Sequence, residues 1–374
     1  MSTDPIDPGT VFAAKPCGPI VQLKVVGGAA FDTTALPSPY AIGRVTRPGE
    51  LPRAEVQLPS PQVSQVHGVL EQRGPRLWYR DQRSTNGTYV RNAREDEFVL
   101  TRGMIFRVAD VSMIALDALQ VALRPRLRWA LGLDDEVTVD HTLAQIAQDD
   151  ALLIVGPAGY EAEALARAIH DSSGRRDYPF QAFRERLPRG GGGEERLRAA
   201  RWGTVFVDLR AVGEVMMSFA QLVLGRREPL LHLRPIISVG SVSACHKLLG
   251  QMASEHAITV PPLVERRHEV PRLIELAMRE QGATCGLGDL PATWPRAALT
   301  RRSWARAQTL ESLREVARRL RALIEHRGHE GAAAAALGMT RQNLNAWLRR
   351  QFVAPAEDPD DTGGGAGRGD GGRG

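Results

Sequence analysis

The hydrophobic period of the chain changes twice, and this limits what it can fold into more than any other feature. From about Ile20 to Leu123, apolar and polar residues tend to alternate in short runs separated by turn residues. Val21-Gln-Leu-Lys-Val-Val26, Arg76-Leu-Trp-Tyr-Arg80 and Gly103-Met-Ile-Phe-Arg-Val108 are examples. A period of two repeated at this density predicts an all-β sandwich of about 100 residues. Near Arg124 the pattern becomes that of an α/β layer. Ala151-Leu-Leu-Ile-Val155 ends at Gly156 as a buried parallel strand does, and Thr204–Val207 and Pro235–Val239 read the same way. Between them, Glu161–His170 places Ala162, Leu165, Ala166 and Ile169 at helical spacing. From Thr309 to Gln351 the pattern is wholly helical.

Three architectures in one chain of 374 residues agree with two or three domains. With 43% hydrophobic and 24% charged residues, a wholly disordered chain is excluded. No run approaches 18 apolar residues, which excludes a membrane-spanning helix, and Met1–Lys15 lacks the pattern of a secretory signal. Cys17, Cys245 and Cys285 are odd in number and far apart. They suit neither a disulfide framework nor a zinc site, so a cytoplasmic location is expected. The expected boundaries are a flexible lead-in over 1–18, the sandwich over 19–123, the α/β domain over 124–295, the helical domain over 296–352 and a disordered tail over 353–374. Pro188–Gly193 reads as a loop, and the chain has no internal repeat.

Three short motifs fall in order within the β region: Gly43-Arg44, Ser64-Gln-Val-His67 and Ser84-Thr-Asn-Gly-Thr-Tyr-Val90. Singly they are commonplace, and Asn86-Gly87 alone is an ordinary tight turn. Together, over roughly residues 20–120, they resemble a forkhead-associated (FHA) domain. The resemblance implies a sandwich whose loops bind a phosphothreonine peptide. A phosphate carries about −1.5 to −2 charges and three strong acceptor oxygens, which suits the planar donor fork of Arg44 and the hydroxyl of Ser64. By resemblance, Arg44 and Ser64 hold the phosphate, Thr85 assists and Asn86 bonds the peptide backbone. His67 braces the loop, and Gly43 and Gly87 are structural. Where such domains often carry Arg after the loop serine, this chain has Gln65, and Arg83 is a nearby substitute cation. The plainer alternative makes Arg44 a solvated surface charge and Ser64 the end of a turn.

In the middle region, Gly156-Pro-Ala-Gly159-Tyr-Glu-Ala-Glu163 lies between a buried strand and an amphipathic helix, where a phosphate-binding loop belongs. It continues through Leu165–His170 and Ser173–Phe180. Trp202-Gly-Thr-Val-Phe-Val-Asp208, Val260–Arg267 and Glu269–Ile274 follow in order. Over about 142–275, with gaps, this set is similar to the AAA+ ATPase domain of sigma-54-dependent transcription activators. The departures decide the expectation. A phosphate loop needs a glycine and then a lysine that reaches the terminal phosphates, and here those places hold Glu161 and Ala162. Gly156, Gly159 and Asp208 remain as a degenerate nucleotide site. Leu209 replaces the carboxylate that polarises an attacking water. The loop with which such activators grip sigma-54 is missing between Phe183 and Trp202. The expectation is a non-hydrolysing AAA+ remnant that needs no cofactor; a plain α/β domain is the alternative.

Residues 296–351 contain 12 Arg and 4 Glu, a formal +8 in a chain of net +5, so the basic excess is concentrated there. Only Lys15, Lys24 and Lys247 among the 48 basic residues are lysines. That skew fits a GC-rich genome as well as it fits phosphate contacts, so distribution matters more than the total. Leu310, Leu313, Val316, Ala317, Leu320, Leu323 and Ile324 form a helical stripe ended by Gly328. A short Ala-rich helix over Glu330–Leu337, a turn at Gly338 and a helix capped by Thr340 follow. The stretch Gly328–Leu348 is similar to the Fis-type helix-turn-helix that closes sigma-54 activators, with His329 where the family usually has Asn. The resemblance implies a second helix that enters the major groove. Arg341, Gln342, Asn343 and Asn345 lie on or near its outer face as base-reading candidates. Arg349 and Arg350 are placed for phosphates. A solvated helical bundle is the alternative here.

His232, His246 and His268 lack metal-ligand spacing, and no Ser-His-Asp or Cys-His set can be assembled. The combined expectation is a cytoplasmic bacterial transcription regulator with two partners: a phosphothreonine protein, marked by a Ser/Thr kinase, and double-stranded DNA. It has no enzymatic activity and no membrane partner, and a homodimer or higher oligomer is expected. Two alternatives stay open: a phosphopeptide adaptor without DNA binding, and a weak ATPase activator of sigma-54 polymerase.

Overall fold

The computed structural model describes residues 18–36, 38–46, 51–148, 151–183, 192–212, 232–241, 243, 257–291, 294 and 296–352. The lead-in through residue 17, the tail 353–374 and the Gly-rich stretch up to residue 191 lie outside them. The chain divides into two compact units, Met1–Val260 and Pro261–Gly374.

The first unit begins with two stacked sheets. One runs in the order β2 (Ala30–Asp32), β1 (Ile20–Val25), β11 (Val111–Asp117), β10 (Ile105–Val108), β7 (Thr88–Val90) and β8 (Ala93–Arg94). The other runs β4 (Val56–Leu58), β3 (Tyr40–Arg44), β5 (Gly68–Arg73), β6 (Arg76–Asp81) and β9 (Glu97–Val99). The two-residue period explains the stacking. On β6, Leu77, Tyr79 and Asp81 point inward while Arg76 and Arg80 face solvent, so one face buries and the other stays wet. Leu23, Ile42, Leu70, Tyr79, Phe106 and Met113 form the fully buried core. The rings of Tyr79 and Phe98 stack at 5.0 Å, and Phe98 meets Phe106 edge-on at 5.6 Å. The run expected from Gly103 becomes a strand only at Ile105. Gly103 holds a positive φ of 67° in a turn, where a Cβ would come within 2.3 Å of Ala147.

The sandwich ends at Asp117, whose buried carboxylate accepts from Gln120 N at 2.8 Å and caps α1 (Ala118–Leu131). Asp135 caps α2 (Glu136–Ala147) in the same way. A charged cluster ties this hairpin to the sandwich. Lys24 Nζ on β1 meets Asp140 Oδ2 at 2.7 Å, Gly27 N donates to the same oxygen at 2.9 Å, and Arg124 pairs with Asp140 and Glu136.

A five-stranded parallel sheet follows, ordered β13 (Phe180–Phe183), β14 (Thr204–Asp208), β15 (Arg234–Val239), β12 (Leu152–Val155) and β16 (Ala257–Thr259). Helices α3 (Ala162–Asp171), α4 (Gly192–Ala199) and α5 (Leu209–Val212) connect its strands. The three expected strands β12, β14 and β15 are the apolar ones, buried on both faces. The outermost, β13 and β16, carry a weaker apolar signal and were not expected. The first strand in sequence lies between the last two, so the carboxyl edge of β12 adjoins a topological switch point, the usual place for a ligand crevice.

The second unit is helical: α6 (Val270–Glu280), α7 (Arg302–Ala307), α8 (Leu310–Glu325), α9 (Glu330–Ala336) and α10 (Arg341–Phe352), with 3-10 segments at Arg267–Glu269 and Arg296–Thr300. All seven stripe residues of α8 are buried, and Thr309 caps it by accepting from Ser312 N at 3.0 Å. Its main packing partner is α6, which lies before residue 296 in sequence. Gly328 and Gly338, at φ of 80° and 67°, end α8 and turn α9 into α10. Leu344, Trp347 and Leu348 are buried beneath α10. Among the described residues no helix is long and apolar enough to cross a membrane.

Candidate functional site

The loops at one end of the sandwich bring the three front motifs together. Gly43 has no room for a side chain, since a Cβ would lie 2.0 Å from Gln65 O. Its absence lets the 64–66 segment settle on β3, where Arg44 N donates to Ser64 O at 2.9 Å. Arg44 and Ser64 therefore share a backbone bond, one at the end of β3 and the other in the adjoining loop. Arg44 spends one N–H on Pro61 O at 3.4 Å, and among the described residues its other donors are uncommitted. Ser64 Oγ accepts from Thr85 N at 3.4 Å, and Asn86 Nδ2 donates to Gln62 O at 2.7 Å, so the third loop closes on the second. Thr85, Asn86, Arg83 and Gln65 are exposed.

Beneath these loops lies a support that the sequence did not disclose. Asp81, the last residue of β6, accepts from Ser84 N and Ser84 Oγ at 2.7 Å each and from Thr88 Oγ1 at 2.9 Å. Ser84 Oγ in turn accepts from Gly87 N at 3.0 Å, and Tyr79 meets Thr88 at 2.8 Å. The one available signal was an Asp three residues ahead of a Ser in a turn, a side chain suited to bonding local backbone. Gly87 takes a positive φ of 71°, which a β-carbon disfavours.

His67 is fully buried. Its Nδ1 accepts from Ser64 N at 3.2 Å and its Nε2 donates to Gly87 O at 3.1 Å, which defines the neutral Nε2–H tautomer. Burial pushes its pKa below the usual 6.5, against the upward pull of the Gly87 carbonyl and the Asp81 carboxylate. His170, hydrogen-bonded to Thr204 Oγ1 at 2.9 Å, shifts the same way through burial. With the folded-state value depressed, the unfolded chain takes up the proton first as pH falls. The stabilisation is complete above the unfolded value and is lost as pH drops through the folded one. We therefore expect the urea midpoint to fall between about pH 7.5 and pH 5, and less steeply in His67→Gln. A midpoint that rises on acidification contradicts this assignment.

At the carboxyl edge of the parallel sheet, the residues between β12 and α3 are held by neighbouring elements. Gly156 N donates to Val239 O at 3.1 Å, and a Cβ on Gly156 would meet the Tyr160 ring at 2.7 Å. That ring is buried, with its hydroxyl 2.9 Å from Ser238 Oγ. Arg210 stacks over it at 4.5 Å, grips Asp208 through two bonds of 3.1 Å and donates to Pro157 O at 2.7 Å. Gly159 and Glu161 both have positive φ, 71° and 61°. The Glu161 carboxylate accepts from Arg126 at 2.8 Å and Trp129 Nε1 at 3.1 Å, both on α1. Ala162 opens α3, and Leu209 is buried. Sequence reasoning missed Tyr160 and Arg210, because only the fold brings Tyr160 to Ser238 and Arg210 to Pro157 and the Tyr160 ring.

On α10, Thr340 Oγ1 accepts from Asn343 N at 3.2 Å. Arg341, Gln342, Asn343, Arg349 and Arg350 are exposed along one side, whereas Asn345 is half-buried. Arg341 faces Glu330 of α9 at 3.5 Å.

The family model of the FHA domain matches residues 40–109, so this segment is an FHA domain. No curated protein matches the chain. Among solved structures, the chain is similar to the FhaA FHA domain complexed with the intracellular domain of Rv3910, at 27% identity over 25% of this chain and 97% of that one, TM-score 0.22. It is similar to Mycobacterium tuberculosis EmbR in complex with a low-affinity phosphopeptide, at 25% identity over 26% of this chain and 24% of that one, TM-score 0.23. It is also similar to NtrX from Brucella abortus in complex with ATP, at 18% identity over 57% of this chain and 68% of that one, TM-score 0.37.

Proposed function

We propose that this chain is a transcription regulator that docks a phosphothreonine protein on its FHA domain and duplex DNA on α10. One observation carries the reading: Arg44 at the end of β3 and Ser64 in the adjoining loop, joined by a backbone bond in an FHA domain, present uncommitted donors side by side. A dianionic phosphate with three acceptor oxygens is the ligand that such donors suit. Thr85 and Asn86 are exposed on the loop that closes over them, available to the phosphate and the peptide backbone. Support for the DNA part comes from the two short helices about Gly338 and the outward row Arg341, Gln342 and Asn343. Arg pairs with guanine and Gln or Asn with adenine through two hydrogen bonds.

The α/β layer acts in this reading as a non-hydrolysing AAA+ remnant of a sigma-54-type activator. The Tyr160 ring fills space against Gly156, Arg210 engages the one remaining acidic candidate Asp208, and Glu161 puts a carboxylate at the place of the second loop glycine, where a phosphate would lie, with Ala162 in place of the lysine. Each opposes a bound nucleotide by volume or by charge. Phosphopeptide docking then controls DNA engagement without ATP turnover, in a cytoplasmic regulator that works as a dimer or higher oligomer.

Genome-wide occupancy of the wild type beside Arg341→Ala, Gln342→Ala tests the DNA part. Discrete wild-type sites that the double variant loses or redistributes are the expected result. Identical profiles reject the reader role and leave a phosphopeptide adaptor. ATP hydrolysis by the purified chain, abolished by Asp208→Asn, removes the non-hydrolysing part.

A further inference from the structure

Ion pairing separates the arginines of α8 from those of α7 and the end of α10. Those on α8 are neutralised: Arg314 pairs with Glu280, Arg318 and Arg319 with Glu315 at 2.8 and 2.7 Å, and Arg321 with Glu325 at 2.7 Å. Arg341 at the start of α10 has Glu330. By contrast, Arg301, Arg302 and Arg306 on and beside α7, and Arg349 and Arg350 at the end of α10, form no ion pair with any described residue. Glu311, in the first turn of α8, is the acid nearest to α7 in sequence, and it too forms no ion pair with them.

Tertiary contacts bring the two unneutralised sets together. Gln308, which ends α7, donates through Nε2 to Gln351 Oε1 of α10 at 3.4 Å. The 3-10 segment Arg296–Thr300 packs against both α7 and α10, and Trp294 lies 5.7 Å from Phe352, ring to ring. Arg306 thus stands two residues from one end of that bridge, and Arg349 and Arg350 stand within two residues of the other. Trp304 and Ala305 are buried between the α7 arginines and hold the short helix in place. The α7 residues lie outside the two-helix motif and carry no base-reading pattern of their own.

We infer that Arg301, Arg302 and Arg306 extend the α10 surface into a continuous contact for the sugar–phosphate backbone of duplex DNA. Uncompensated guanidinium groups give up no existing ion pair when they meet phosphate, so their whole charge goes into counterion release. That contribution is independent of sequence. The α7 arginines set the strength of binding while Arg341 and Gln342 set its preference. This inference rests on the DNA reading above.

The test measures binding of the full chain to labelled duplexes of about 30 base pairs and several sequences, over a range of salt concentration. Each lost phosphate contact reduces the slope of log K against log salt by about 0.9. The triple variant Arg301→Gln, Arg302→Gln, Arg306→Gln is expected to show a slope shallower by about 2 to 3, with the same weakening on every duplex. Arg306→Gln alone, at an exposed position, gives a shift of about 0.9 and serves if the triple variant misfolds. An unchanged slope in a folded variant overturns the α7 contact and leaves the α10 reading standing. Weakening that depends on sequence also overturns it, since that marks base contact. If the wild type binds no duplex at any salt, the DNA reading and this inference fall together.

Discussion

Arg44→Ala is expected to lower affinity for a phosphothreonine peptide by about two orders of magnitude and to leave the fold intact. Hydrogen bonds to charged groups contribute about 1.5–3 kcal/mol each, and each 1.4 kcal/mol is a factor of ten. The guanidinium offers two parallel donors to a phosphate, so losing it removes more than one such bond. Its cost to the fold is small, since within the described protein its side chain makes one long contact, to Pro61 O at 3.4 Å. A surface change of that kind shifts stability by about 0.5 kcal/mol or less. Arg44→Lys keeps the charge without the planar fork and falls between the two. Fluorescence anisotropy with phosphorylated and unphosphorylated versions of one peptide reads the difference. Equal affinity of wild type and Arg44→Ala for the phosphorylated form sinks the phosphate role.

The largest stability loss is expected from Asp140→Ala. The Asp140 side chain is fully buried, and it holds Lys24 Nζ, Gly27 N and Arg124. Lys24 is itself nearly buried, and burial already drives its pKa down. Removing the carboxylate leaves one buried ammonium and one half-buried guanidinium with only Glu136, 3.5 Å from Lys24 Nζ, to share. Breaking a buried pair from one side costs about 3–5 kcal/mol, against a total stability of about 5–15 kcal/mol for a typical domain. Replacing both partners at once, as Lys24→Met with Asp140→Leu, is expected to cost much less than the single change, because no charge is stranded. Urea unfolding measures both. A loss under about 1 kcal/mol for Asp140→Ala shows that water reaches Lys24 and screens it.

Much of the fold was legible along the chain. The alternation on β6, the solid apolar runs of β12, β14 and β15, and the seven-residue stripe of α8 each report a local period that matches one face of a strand or helix. The outer strands β13 and β16 were not, because one is mostly half-buried and the other is three residues long. At the front site the resemblance of the three motifs to an FHA domain pointed to Arg44, Ser64 and Asn86, but nothing in those motifs named Asp81 as the hub beneath them.

The amino-acid order alone determined the succession of β sandwich, α/β layer and helices, and the FHA motif set. Those are properties of neighbours, set by side-chain period and residue type. Tertiary structure decided the distant contacts: Arg210 on Pro157 and the Tyr160 ring, Tyr160 on Ser238, Glu161 held by α1, and Lys24 locked to Asp140 across 116 positions of sequence. Contacts of that kind depend on which surfaces the packed elements bring within a few ångströms, and burial then makes each one costly to break.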